Sequence, residues 1–137
     1  MASDGHDPGH RAEQLLGELE GAVMQIVWAR GEVNVREVWL TLQPTRPLAY
    51  TTVMTVMSRL AQKGVLAVRK QGKSYYYRAT ATPDAFVAAR AQAAIRDVIA
   101  NFGDVALVQM LREIEGVDPQ RLALLRRLGA EEHPDAD

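Results

Sequence analysis

The sequence predicts a mainly α chain with a small β wing, and three observations carry that expectation. Val53, Val56, Met57 and Leu60 fall at i, i+3, i+4 and i+7, which is one face of a helix. Gly64 then stands where a C′ glycine stops such a helix. Two strand-like runs follow, Val65–Lys70 and Ser74–Thr80, around a turn at Gln71–Gly72–Lys73, the pattern of a hairpin. Two helical patterns precede this block and three follow it. Helix, helix, loop, helix, hairpin is the order of a winged helix-turn-helix, and the later helices read as a dimerisation arm. The expected boundaries are a disordered tail over 1–13, the winged helix over 14–82, the arm over 83–129 and a disordered acidic tail over 130–137.

The bulk properties bound what such a chain can do. Its 137 residues make one domain or two small ones, and 47% apolar residues suffice for a core. There is no cysteine, which excludes disulfides, zinc fingers and thiol nucleophiles. No run approaches the roughly 18 apolar residues of a membrane span. The acidic, glycine-rich N-terminus lacks the basic-then-apolar order of a secretion signal. A cytoplasmic protein without membrane insertion is the expectation.

Element by element, Leu15 to Arg30 reads as the first helix. Leu19, Val23, Ile26 and Val27 form its buried stripe, with Leu16 and Ala22 beside it and Trp28 at the core's edge. His6 and His10 lie four apart, but Pro8 and Gly9 between them argue against a helical metal site, and His133 stands apart from both. No metal and no cofactor are expected. Val33–Asn34 is a candidate third strand for the hairpin. Asn34 with Glu37 is a capping-box pattern opening a second helix, Val35 to Leu42, with Val38, Trp39 and Leu42 inward. Pro44 and Pro47 mark a loop before the third helix, Tyr50 to Lys63.

The exposed side of that third helix carries Thr51, Thr52, Met54, Thr55, Ser58 and Arg59. Threonine hydroxyls can bond bases or phosphates, and their methyls can contact thymine. β-Branched residues are mediocre helix formers, so three threonines beside two valines are an odd choice for an idle surface. In the hairpin, Leu66 and Val68 are expected to face the core, with Ala67 and Arg69 outward. Tyr75 and Tyr77 point one way and Tyr76 the other. Strand packing explains the tyrosines without invoking base stacking. Arg69, Lys70 and Lys73 cluster at the tip.

Charge supports a nucleic-acid partner. The net charge of −1 hides a basic island: Val38 to Pro83 holds no acid and seven bases, Arg46, Arg59, Lys63, Arg69, Lys70, Lys73 and Arg78. A local cluster outweighs the average because charges are screened beyond about 8–10 Å. Double-stranded DNA is therefore the expected partner. The competing reading is a winged helix that docks a protein. No nucleophile–base pair, phosphate loop or paired carboxylates suggest an enzyme.

Thr82–Pro83–Asp84 restarts helix as cap, first residue and dipole partner. This fourth helix runs to about Asn101, with Phe86, Ile95, Val98 and Ile99 among its apolar residues. Gly103 breaks it, and Asp104 is expected to cap a fifth helix carrying Leu107, Leu111 and Ile114. Asp118–Pro119 starts a sixth with Leu122, Leu125 and Leu128, ended by Gly129. Three such amphipathic helices cannot enclose a core unaided. The expectation is that these ten apolar residues build a homodimer, the alternative being an intramolecular bundle.

Three segments then resemble the penicillinase-repressor family of bacterial transcription regulators, the BlaI/MecI type. Leu16–Trp28 (LGELEGAVMQIVW) is similar to the family's opening helix and Val35–Leu42 (VREVWLTL) to its second. Leu48–Leu66 (LAYTTVMTVMSRLAQKGVL) resembles its recognition helix and turn, and Tyr75–Ala79 (YYYRA) fits its wing. The resemblance covers roughly 15–82 and continues in helix order through 83–128. It implies a homodimeric repressor on a dyad operator, read by Thr51, Thr52, Met54, Thr55, Ser58 and Arg59, with Lys70 and Lys73 on the wing. It also implies a membrane sensor protease that cleaves the repressor on a β-lactam or envelope signal. An Asn–Phe pair occurs at Asn101–Phe102, but the position matching the family's cleavage lies nearer Gln109–Met110, so no cleavage site is assigned. Asn101–Asp104 is the expected mobile stretch.

Overall fold

Asn34 opens the helix-turn-helix with a complete capping box. Its side chain accepts from the Glu37 amide at 2.8 Å, and its own amide donates to the Glu37 carboxylate at 2.8 Å. The computed structural model describes residues 11, 12 and 15–132. The elements are α1 (Glu18–Arg30), β1 (Val33–Asn34), α2 (Val35–Leu42), α3 (Tyr50–Gln62), β2 (Leu66–Gln71), β3 (Ser74–Ala79), α4 (Pro83–Phe102), α5 (Asp104–Glu115) and α6 (Pro119–Glu132). The sheet is antiparallel in the order β1-β3-β2. This is the winged helix-turn-helix followed by a helical region that the sequence predicts.

The chain divides inside α4 into two compact units, 1–91 and 92–137. In the first, Val53, Val56, Met57 and Leu60 of α3 are buried against Val23, Met24 and Val27 of α1, Val38 and Leu42 of α2, and Leu66 and Tyr77 of the sheet. Met24, fully buried, is absent from the stripe expected for α1. The reason is that α1 packs on α2, α3 and β3 together, so its buried arc is wider than one stripe. Ala12 is also fully buried and joins this core, while the rest of the tail expected over 1–13, Arg11 apart, lies outside the described residues. His6, His10 and His133 lie outside the described residues.

Local chemistry explains how α3 ends and how the wing turns. The Val65 amide donates to the Leu60 carbonyl at 2.9 Å and the Gly64 amide to that of Ala61 at 3.0 Å, a Schellman closure with Gly64 at φ +81°. In the hairpin Gln71 pairs with Ser74, leaving a two-residue turn, Gly72–Lys73. Gly72 takes φ +63° and Lys73 does not take a positive φ, the sign pattern of a type II′ turn. Val33 pairs with Tyr77 and Asn34 with Tyr76, so the expected third strand is present.

Phe86 belongs to the first unit. It is buried edge-on to Trp28, centroids 6.0 Å apart, while the Trp28 indole N–H donates to the Ala81 carbonyl at 2.9 Å. Its surface is thus covered within this unit. In the second unit the described large apolar residues stay open. Ile95, Val98, Leu107, Leu111, Ile114, Leu125 and Leu128 are exposed, and Ile99 and Leu122 half-buried. Helix termini also differ from expectation: α1 begins at Glu18 rather than Leu15, and α3 ends at Gln62 rather than Lys63. Gly103, not Asp104, is the N-cap of α5, because Asp104 already has helical conformation. Gly129 does not end α6, which continues to Glu132.

Candidate nucleic-acid interface

The loop between α2 and α3 is pinned at one carbonyl. The Trp39 indole N–H and the Gln43 side-chain amide both donate to the Leu48 oxygen at 2.8 Å. Trp39 then meets the Tyr50 ring edge-on at 5.8 Å. These contacts set where α3 begins. Sequence reasoning placed Trp39 only as a core residue. Its donor role could have been anticipated, since a half-buried indole N–H seeks an acceptor.

The exposed side of α3 carries Thr51, Thr52, Met54, Thr55, Ser58 and Arg59, as expected. Among the described residues no side chain caps the α3 N-terminus at Ala49. The hairpin rises beside this helix. Pairing places Leu66, Val68 and Lys70 on one sheet face with Ala79, Tyr77 and Tyr75. Ala67, Arg69 and Gln71 share the other with Arg78, Tyr76 and Ser74. Leu66 and Tyr77 are buried, but Val68 and Tyr75 are each 50% exposed. Val68 was expected in the core. Its face is the core-side one, yet it lines an open trough beside α3 together with Tyr50, Met54, Ser58 and Tyr75.

The island that is acid-free in sequence is not acid-free in space. Among the described residues three of its seven bases are ion-paired to acids from before it. Arg46 pairs with Glu18 at 3.1 Å, Lys63 with Glu20 at 2.8 Å and Arg69 with Glu32 at 2.7 Å. Arg69 also lies over the Tyr76 ring at 5.1 Å and bonds Gln71. Its hydrogen bond to Glu32 holds that carboxyl below its ordinary range and raises the guanidinium's own value. Arg69 is thus tied to Glu32 and braces the wing. Lys70 lies 5.7 Å over the Tyr75 ring, and Lys70, Lys73 and Arg59 are exposed.

A third helix with a polar exposed side, a cationic hairpin beside it and a three-stranded antiparallel sheet define a winged helix-turn-helix. The penicillinase repressor family model matches residues 16–131, and the chain belongs to that family. It is 43% identical over 74 residues to the transcriptional regulator BlaI of Mycobacterium tuberculosis, covering 53% of this chain and 54% of that protein. It is 31% identical over 62 residues to the penicillinase repressor of Bacillus licheniformis, covering 45% of this chain and 48% of that one. The chain thus spans about half the length of the curated relatives it matches. Among solved structures, the DNA-binding domain of the repressor BlaI aligns with TM-score 0.47 and 28% identity, covering 50% of this chain and 85% of that one. Among the described residues no helix is long and apolar enough to cross a membrane, and no cluster of metal-ligating residues occurs.

Proposed function

We propose that this chain is a homodimeric, cytoplasmic repressor that binds a dyad DNA operator. The observation that carries the reading is the exposed Thr51, Thr52, Thr55, Ser58 and Arg59 surface of α3, flanked by Lys70 and Lys73 of the wing. In the major groove the α3 hydroxyls contact base edges, and the uncapped amides of its first turn suit a phosphate. The wing cations contact the flanking backbone, which positions the protein without reading sequence. Arg69 acts through its brace on the hairpin.

Dimerisation is the role we assign to 92–132. Apolar residues left this exposed favour burial against a second copy, at about 25 cal/mol per Å² covered. Release by a sensor protease, after a β-lactam or envelope signal, is the family-derived part of the proposal.

The test is binding to duplex DNA from upstream of the chain's own gene against scrambled duplex, over a salt series. Preference of a hundredfold or more, saturating at two chains per site, supports the reading. Equal binding to both duplexes at every salt concentration overturns sequence-specific repression. Absence of binding at low salt favours a protein-docking module instead.

A further inference from the structure

The hairpin and α3 bound an open trough of about 390 Å³, within the size range of small-molecule sites. Tyr50, Met54 and Ser58, spaced i, i+4 and i+8 along one flank of α3, face Val68 and Tyr75 across it. No charged residue lines it. Lys70 stands outside the lining, its ammonium 5.7 Å over the Tyr75 ring. Tyr77 lines the same trough and is only 7% exposed, yet its hydroxyl makes no hydrogen bond to a described residue. Among the described residues no side-chain oxygen is both sealed from solvent and unpartnered, so this hydroxyl opens into the trough. A phenol buried along its ring with its polar tip left open is a hydrogen-bonding group without an internal partner.

The geometry points to this trough as the binding site of a small, uncharged, planar aromatic molecule that carries one hydrogen-bonding group for the Tyr77 hydroxyl. Each part of that description comes from the lining. An ionised ligand would lose water there without gaining an opposite charge, which is costly, so the ligand is neutral. The exposed rings of Tyr50 and Tyr75 and the exposed Met54 thioether offer the edge, face and sulfur contacts that aromatic rings favour. The open Tyr77 hydroxyl selects a ring that bears a donor or acceptor. The regulatory consequence rests on the DNA-binding reading above. A ligand against Met54 and Ser58 covers two residues of the side of α3 assigned to the operator, so ligand and duplex exclude one another.

The experiment is equilibrium dialysis of the full-length chain against 1-naphthol, a neutral fused-ring phenol, with naphthalene and the 1-naphthoate anion beside it. Wild type is expected to bind 1-naphthol saturably, one molecule per chain, and 1-naphthoate at least about tenfold more weakly. Val68 is half exposed, so Val68→Glu places a carboxylate in the lining without emptying the core, and is expected to weaken 1-naphthol by about tenfold or more. Tyr77→Phe removes only the hydroxyl and is expected to weaken 1-naphthol by roughly two- to tenfold, as for one neutral hydrogen bond. Naphthalene, which lacks a partner for that hydroxyl, is expected to bind wild type and Tyr77→Phe within about twofold of each other. No saturable binding, equal binding of the anion, or wild-type affinity for 1-naphthol in Val68→Glu or in Tyr77→Phe would each overturn the site. In a second arm, 1-naphthol at about ten times its dissociation constant is expected to weaken binding to duplex from upstream of the chain's own gene by roughly tenfold. Unchanged duplex affinity with 1-naphthol bound would overturn the exclusion. If the ligand-free chain shows no preference among duplexes, the repressor reading fails, while the dialysis, done without DNA, still decides the site.

Discussion

Arg69 of the wing and Glu32 of the turn after α1 are joined by two hydrogen bonds, Nε to Oε2 at 3.1 Å and Nη2 to Oε1 at 2.7 Å. The planar fork of the guanidinium suits a carboxylate held this way. The pair ties the hairpin back to the body of the domain on the sheet face opposite the trough. Glu32→Gln removes the acid and leaves Arg69 able to meet a phosphate. The expected result is tighter binding to random duplex at low salt. The plot of log affinity against log salt should steepen by about 0.9, the increment for one added phosphate contact. An unchanged slope would show that Arg69 does not reach DNA even when released.

The same pair has a pH signature. The Arg69 hydrogen bond is the main cause that holds Glu32 below its ordinary 4.5; desolvation opposes it, and the charges of Arg69 and then Arg78 add smaller downward effects. A carboxyl depressed in the folded state stabilises it fully above the unfolded value. That contribution is lost as pH falls through the folded value. The brace is therefore intact at neutral pH and opens only below the ordinary glutamate range. An NMR titration of the Glu32 carboxyl should find a midpoint below 4.5, moving upward in Arg69→Ala.

Thr55 and Lys73 separate base reading from backbone contact. Thr55→Ala is expected to reduce discrimination between operator and random duplex by about 1–3 kcal/mol, as for one base contact. Lys73→Ala is expected to weaken both and to lower the salt slope by about 0.9. Anisotropy titrations on both duplexes at several salt concentrations check each outcome. Equal loss on both duplexes for Thr55→Ala would remove its base-reading role.

Two local devices hold α2 and α3 in place. Asn34→Ala deletes the capping box and is expected to cost about 0.5–2 kcal/mol of stability. Trp39→Phe keeps an aromatic ring beside Tyr50 but leaves the Leu48 carbonyl with Gln43 as its remaining donor, at a cost of about 1 kcal/mol. Urea unfolding monitored by circular dichroism measures both.

Leu111 is among the most exposed apolar residues of α5. Leu111→Asp is expected to shift the chain from dimer to monomer in light scattering and to leave the first unit's circular dichroism unchanged. A monomeric wild type would remove the dimer from the proposal.

What was legible in the sequence was whatever is decided within a few residues. The α3 stripe, the Asn34–Glu37 cap, the Gly64 stop and the hairpin are short-range patterns, and each is present, the hairpin with Gln71 drawn from the turn into its strand. The exposed face of α3 follows for the same reason, because burying Val53 and Leu60 turns Thr51 and Thr55 outward. Long-range placement was not legible. Met24 is buried because three elements close on α1, and Val68 is open because the wing stands off beside α3. Arg69 is neutralised by an acid 37 residues away in sequence. A one-dimensional charge count sees neighbours along the chain, whereas Coulomb attraction acts between neighbours in space, and folding decides which those are.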